Sequence, residues 1–393
     1  MTAPKFSFGS IRVAFMHKKK SAVQDSAQKL FDHAGVKFNG DNPWDIQVHN
    51  SNLYARILKG GSLGLGESYI DGWWDCEQMD VLFDKVIGAD LSQRMGWQVK
   101  LQIAGRLLVD MLTNPQTVAR AHQVADAHYN LGNDLFEDML DPTMNYSCGY
   151  WKTASNLEQA QIDKMDLICR KLKLSAGMKV LDIGCGWGGL AEYMAREYGV
   201  EVDGLTISNE QQALAQKRVK GLPIDIRLQD YRHLTGRYDR IVSVGMFEHV
   251  GRKNYRQYFE KATELLDPQG YFLLHTIGTE LTGKPTDAFI QKYIFPNGKI
   301  PDRFEINDAS MDLLRLEDWH NFGPDYDKTL MVWLERFEAA WPELKSNYDE
   351  RFYRMWRYYL TCCAGYFRCR RGQLWQLVYA HPDTMHQPYI SER

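Results

Sequence analysis

Apolar residues recur along this chain with two different periods. Val23, Ala27, Leu30, Phe31 and Ala34 fall at helical spacing, and Gly35 follows as a stop. "DIQVHN" (45–50) alternates like a short strand, and "MDVLFDKVI" (79–87) is amphipathic. Between them, "KGGSLGLGESYIDGWW" (59–74) is rich in glycine and then in aromatics, which predicts a loop leading into a packed helix. To about residue 120 the pattern is mixed and mostly helical. From about residue 178 it changes. "KVLDIG", "EVDGLTI", "IDIRLQD", "DRIVSVG" and "GYFLLHTIG" read as strands, and "GGLAEYMAREYG", "NEQQALAQKRVKG" and "NYRQYFEKATELL" as helices between them. Ser208 or Asn209 caps the second of those helices. Such alternation predicts an α/β fold, a parallel sheet with helices on both faces. Near the end, "DKTLMVWLERFEAAW" and "NYDERFYRMWRYYLTCCAGYFR" are helices, and "LWQLVYA" is a last strand.

A chain of 393 residues is too long for one hydrophobic core, so two domains are expected, 1–121 and 122–393. Apolar content of 44%, charged content of 25% and a net charge of −3 describe an ordinary globular protein and give no reason to expect nucleic acid as a partner. The 11 Trp and 21 Tyr ask for wide apolar faces, in a core or around a hydrophobic ligand. The 7 Cys lack zinc-type spacing and read as reduced thiols in a cytoplasm. The N-terminus lacks a signal-peptide apolar core and no apolar run is long enough to span a bilayer, so any membrane contact is expected to be peripheral. Local charge is less even. Met1–Gln24 carries Lys5, Arg12, Lys18, Lys19 and Lys20 with no acid, and Arg351–Arg371 carries six Arg with no acid among many aromatics. Each run alone reads as a solvated helix face. Two together suggest an anionic membrane surface, where each basic residue is worth about 1 kcal/mol.

"LDIGCGWGGL" (181–190) follows the first strand of the alternating region and opens a helix. Glycines there let backbone approach a ligand at a helix N-terminus. Gly184-x-Gly186-x-x-Gly189 fits a dinucleotide fingerprint, which keeps a dehydrogenase open. Gly184-x-Gly186-x-Gly188 equally fits the S-adenosylmethionine turn of Rossmann-like methyltransferases. Asp182 and Asp230 favour the latter, Asp230 as acceptor for an adenine amino group. Asp203 lies too early in its strand to read a ribose. Ligands of open parallel sheets bind beyond the strands' carboxyl ends where strand order reverses, which places "GMFEHV" (245–250) near the cofactor.

Further stretches make the chain resemble one family. They are "KGGSLGLGESYIDGWW", "HYNLGNDLFEDMLDPTMNYSCGYW" (128–151), "VLDIGCGWGGLAEYM" (180–194), "LTISNEQ" (205–211), "VGMFEHVG" (244–251), "LLHTIG" (273–278), "KYIFPNG" (292–298) and "EDWHNFGPDYDKTL" (317–330). Over nearly its whole length the chain resembles the cyclopropane-fatty-acyl-phospholipid synthases. The resemblance implies a mostly parallel seven-stranded Rossmann-like catalytic domain (122–393) and a smaller, mainly helical N-terminal domain (1–121) that docks on lipid. It implies methyl transfer from S-adenosylmethionine to a cis double bond of a phospholipid acyl chain, a carbocation, loss of a proton and ring closure. A homodimer is expected, in the cytoplasm and against the inner face of the cytoplasmic membrane, with an anionic bilayer and an unsaturated phospholipid as partners.

The family holds a bicarbonate ion as the base. By resemblance its ligands are Cys148, Glu248, His275, the backbone at Ile277, and Tyr326, with Glu248 receiving the ion's own proton. His275 ends an apolar strand and Tyr326 lies in a polar loop. His249 reads as structural. Cys363 stands where the family has a cysteine once regarded as the active thiol. The chemistry needs no thiolate, so Cys362 and Cys363 read mainly as packing. Cofactor contacts carried over are Tyr146, Ser147, Gly184, Gly186, Gly188, Thr206, Gln211, Asp230 and Tyr231. Trp187 can cover the cofactor or simply pack. The runner-up activities are a lipid methyltransferase giving a methyl branch and, in another class, a lipid or S-adenosylmethionine binder without catalysis.

Overall fold

The structure is a computed structural model and describes residues 22–91, 132–280, 285–384 and 388–393. The expected boundary at 121/122 and the basic run up to Lys20 lie outside these residues. The helices are α1 (22–32), α2 (Leu53–Ile70), α3 (Met79–Gly88), α4 (Asn133–Met139), α5 (Leu157–Lys171), α6 (Gly189–Tyr198), α7 (Asn209–Arg218), α8 (Tyr255–Leu265), α9 (Ala288–Tyr293), α10 (Arg303–Ser310), α11 (Pro324–Leu344) and α12 (Glu350–Arg368). A two-stranded ribbon pairs β1 (Gln47–Val48) with β2 (Trp74–Asp75). The main sheet contains β3 (Lys179–Ile183), β4 (Glu201–Thr206), β5 (Ile224–Leu228), β6 (Tyr238–Val244), β7 (Leu266–Thr279), β8 (Arg315–Asn321) and β9 (Gly372–Ala380).

The sheet order is β5-β4-β3-β6-β7-β9-β8. Strands β3 to β7 run parallel, and β9 lies antiparallel between β7 and β8. Order reverses between β3 and β6, so the crevice for a ligand lies at their carboxyl ends. Ser208 caps α7 by accepting from the Gln211 amide. Strand β8 escapes the sequence pattern. It is an edge strand in which Leu316 is exposed while Asp318 is buried against Lys171 and Arg393, so polarity along it does not alternate with burial.

The glycine-rich stretch is a correction: its glycines up to Gly66 lie not in a loop but in the second part of α2, kinked at Gly61 (φ 56°, ψ −134°), and only its last residues turn out of the helix into β2. Its glycines make room for neighbours. A Cβ on Gly66 would lie 2.2 Å from the Phe289 ring, and one on Gly64 would lie 2.2 Å from the Arg56 carbonyl oxygen. Close packing here overrides glycine's poor helix propensity.

The N-terminal helices do not keep a core to themselves. Leu30, Phe31, Ile57, Leu82 and Phe83 share one apolar cluster with Phe337, Trp356 and Leu360 of α11 and α12. The arginines of α12 staple this arrangement. Arg351 pairs with Asp71, Arg354 with Asp75, Arg357 with Glu338, and Arg368 with both Asp80 and Asp327. The charge run read as a membrane face is largely spent on carboxylates far away in sequence.

Candidate active site

Beyond β3 and β6 lies a cavity of about 200 Å³. The turn after β3 forms one wall. Gly184, Gly186 and Gly188 all have positive φ (88°, 53° and 81°), the left-handed region that glycine occupies without strain. Gly184 and Gly186 line the cavity, whereas Gly188 starts α6 and faces Ala215. Tyr146, Ser147, Thr206, Gln211, Asp230 and Tyr231 also line it. Thr206 donates from its hydroxyl to Gln211 Oε1 (2.8 Å), which fixes both at the end of β4. Asp230 accepts from the Arg232 amide and guanidinium, so its carboxylate is already oriented and charged. Trp187 both lines the cavity and packs on Phe136 (ring centroids 5.1 Å apart).

Asp203 weighs against a dinucleotide site. Its carboxylate accepts from the Tyr238 hydroxyl (2.6 Å) and from Arg227 (3.0 Å), inside β4 rather than at its tip. Asp182 is buried in the cavity wall, where desolvation pushes its carboxyl up to about 7, and its Oδ2 has no hydrogen-bond partner.

Next to this cavity the fold gathers the other candidates. His275 lies on β7 opposite Val244 of β6, and Gly245 donates to the His275 carbonyl (2.9 Å). Glu248 sits in a single turn of 3-10 helix after β6. Cys148 is fully buried and packs with Ile277, Tyr326 and Phe322, and the His275 ring meets Phe322 edge-on at 5.8 Å. Tyr326 is not in a loop. Pro324 opens α11, which places Tyr326 in its first turn, stacked on Phe367 at 4.5 Å.

Electrostatics keep the thiol, phenol and imidazole of this cluster uncharged. Burial raises the Cys148 thiol and the Tyr326 phenol well above their usual values, so both stay protonated. Burial and the nearby Lys164 and Lys171 push His275 well down, so it stays neutral. The Gln376 side-chain amide lies 3.2 Å from His275 Nδ1, and His275 Nε2 is buried without a partner. Burial raises the Glu248 carboxyl to about 7, against the Ile277 amide that donates to its Oε1 at 2.6 Å. Its Oε2 is buried without a partner. The Ile277 amide, expected to face an anion, here holds the carboxylate.

Two residues, Lys164 and Gln376, escaped the sequence reading, which took His249 only as structural. His249 lines the cavity, its imidazole pushed down to about 4 by burial. Lys164 reaches the cavity wall from α5 and donates to Ser147 Oγ. Gln376 faces His275 across the β7–β9 pairing. Neither Lys164 nor Gln376 carries a local motif, and only the antiparallel β9 register exposes Gln376. Cys363 packs against the apolar cluster of α11 and α12, its thiol pushed up to about 12 by burial.

Sheet order, glycine turn and cavity together define a Rossmann-like S-adenosylmethionine-dependent methyltransferase. Residues 116–377 match the mycolic acid cyclopropane synthetase family, and the chain belongs to it. It is 55% identical over 356 residues to the cyclopropane-fatty-acyl-phospholipid synthase of Escherichia coli K12, covering 90% of this chain and 92% of that protein. Among solved structures, the cyclopropane synthase MmaA2 from Mycobacterium tuberculosis superposes with a TM-score of 0.63 at 34% identity, over 66% of this chain and 98% of that one. The mycolic acid cyclopropane synthase CmaA1 complexed with SAH and CTAB gives a TM-score of 0.62 at 33% identity, over 66% and 97%.

Proposed function

We propose that this enzyme transfers a methylene group from S-adenosylmethionine to the cis double bond of an unsaturated phospholipid acyl chain, closing a cyclopropane ring, with a bicarbonate ion held as base. The observation that carries this reading is the pair of buried, unpartnered atoms Glu248 Oε2 and His275 Nε2 beside the cofactor cavity. A buried polar atom without a partner is costly, and such atoms cluster where a polar ligand belongs. An uncharged set of thiol, imidazole and phenol suits a small anion, since each can donate and none must first be discharged. Glu248 suits an anion that keeps a proton to give it.

When bound, S-adenosylmethionine supplies an electrophilic methyl group and bicarbonate would supply the base. The chain's residues position and protect. Cys148 from the segment before α5, His275 from β7 and Tyr326 from the first turn of α11 would hold the anion, and Glu248, just after β6, would orient it. Tyr146, hydrogen-bonded to Tyr359 (2.7 Å) and 5.2 Å from the Trp333 ring, joins Tyr326 and Phe367 in offering aromatic faces. Such faces stabilise a cation and exclude the water that would trap it as an alcohol.

The substrate's double bond lies inside a bilayer, and no helix among the described residues is long and apolar enough to cross one. We therefore place the enzyme peripherally, with the basic run Lys5–Lys20 as the docking element. The test of the function is mass spectrometry of phospholipids from cells expressing the protein. One CH2 gained, with the count of rings plus double bonds unchanged, is expected. Proton NMR of the same lipids should show high-field cyclopropyl protons; retained olefinic protons (an isomeric branched alkene) or a gain of CH4 with that count reduced by one (a saturated methyl branch) overturns ring closure, and unchanged lipids overturn the activity.

A further inference from the structure

Lys164 is a buried cation that the chemistry above leaves without a task. It is 0% exposed and borders the cofactor cavity. Its ammonium donates to Ser147 Oγ (2.7 Å) and Gln161 Oε1 (2.6 Å), both neutral acceptors. It forms no ion pair among the described residues. Asp141, the carboxylate whose field reaches it, is spent on its own loop, accepting from the Thr143 amide and hydroxyl and from the Asn145 amide. The other titratable groups coupled to it, Cys148 and His275, are neutral. A buried ammonium without a counter-charge costs several kcal/mol. It also has three protons to donate, of which two are used. The methyl donor brings one anionic group into this cavity, the α-carboxylate of its methionine end. Asp230, which suits the adenine, stands elsewhere in the wall, after β5.

We propose that Lys164, together with Ser147, anchors the α-carboxylate of S-adenosylmethionine and so fixes where the sulfonium stops along the cavity. Lys164 is thus a positioning residue rather than one that touches the reacting carbon. Burial holds its ammonium down at about 8, and an arriving carboxylate raises it, so cofactor binding near pH 8 takes up a proton. The inference rests on the cofactor occupying this cavity, and three ligands separate the two questions. S-Adenosylhomocysteine carries the carboxylate, its decarboxylated analogue lacks only that group, and methylthioadenosine lacks the whole amino-acid end.

Calorimetry at pH 7 on the full chain and on Lys164→Met supplies the test. The variant is expected to bind S-adenosylhomocysteine roughly 10- to 100-fold more weakly, as for loss of a charge-assisted hydrogen bond, and to bind the other two unchanged. The wild-type chain is expected to prefer S-adenosylhomocysteine over its decarboxylated analogue by the same factor. If the variant does not fold, wild-type titrations at pH 8 in two buffers of different ionisation enthalpy still decide: proton uptake is expected with S-adenosylhomocysteine and not with methylthioadenosine. An equal loss for all three ligands in the variant, or no wild-type preference for the carboxylate, overturns the proposal. Failure of methylthioadenosine to bind the wild-type chain overturns the cavity assignment itself.

Discussion

Glu248→Gln should leave the enzyme inactive but more stable, and the gain should grow with pH. Burial raises the Glu248 carboxyl from 4.5 to about 7. An acid so raised binds more protons folded than unfolded between those two values. The wild-type fold therefore loses stability as pH rises through that window. Each tenfold gain in proton affinity on folding is worth about 1.4 kcal/mol, so the handicap is about 1 kcal/mol at pH 5 and approaches about 3 kcal/mol at pH 8. Glutamine keeps an oxygen for the Ile277 amide and carries no charge to desolvate. Urea unfolding of both proteins in decarbonated buffer, from pH 5 to pH 8, reads the difference directly. Groups that titrate in both, such as His249, cancel. Calorimetry with S-adenosylhomocysteine should show nearly unchanged affinity, because Glu248 does not line the cofactor cavity. A stability difference that stays flat across this range would refute the buried-carboxylate reasoning. Cofactor affinity lost in step with activity would refute the separate anion site.

In decarbonated buffer wild-type turnover should fall and recover on adding bicarbonate; unchanged rates, once the ion has been shown to exchange, would exclude it as base. Gly66→Ala drives a methyl into the Phe289 ring and should cost about 1–3 kcal/mol, read as a lowered thermal midpoint. In vesicle co-sedimentation the full chain should bind anionic lipid better than neutral lipid, and less well as salt rises, since the Debye length is about 8 Å at physiological ionic strength. A chain starting at residue 22 should lose that preference, and equal binding by both chains would remove the role given to Lys5–Lys20.

The alternating half was legible because its inner strands β3, β4, β6 and β7 are largely buried on both faces, and Ser208 marks the start of α7 with a local cap. What sequence could not show is what distance in the chain conceals. The glycines of α2 look like loop formers until Phe289 supplies the reason for them. The arginines of α12 look like a free basic face until Asp71, Asp75, Asp80, Asp327 and Glu338 are seen opposite. Pro324 at the start of α11 was a usable signal that Tyr326 is helical. Lys164 was hidden for a different reason: one lysine in "QIDKMDLICRKL" reads as solvent-facing until the fold buries it. The cluster of Cys148, Glu248, His275, Ile277 and Tyr326 was legible only through the family resemblance, because these residues come from four separate segments.

The core shared by both ends of the chain has a consequence for the order of synthesis. Helices α1 to α3 leave the ribosome first, yet Phe337, Trp356 and Leu360 that complete their packing come from α11 and α12. At roughly 5–20 residues per second, the early helices wait on the order of tens of seconds with Phe31, Ile57 and Phe83 uncovered. Tyr326 arrives on the same late segment. A nascent chain stopped short of α11 therefore lacks both the cover for its first helices and a wall of its reaction site, so finishing the N-terminal core and gaining activity are one event.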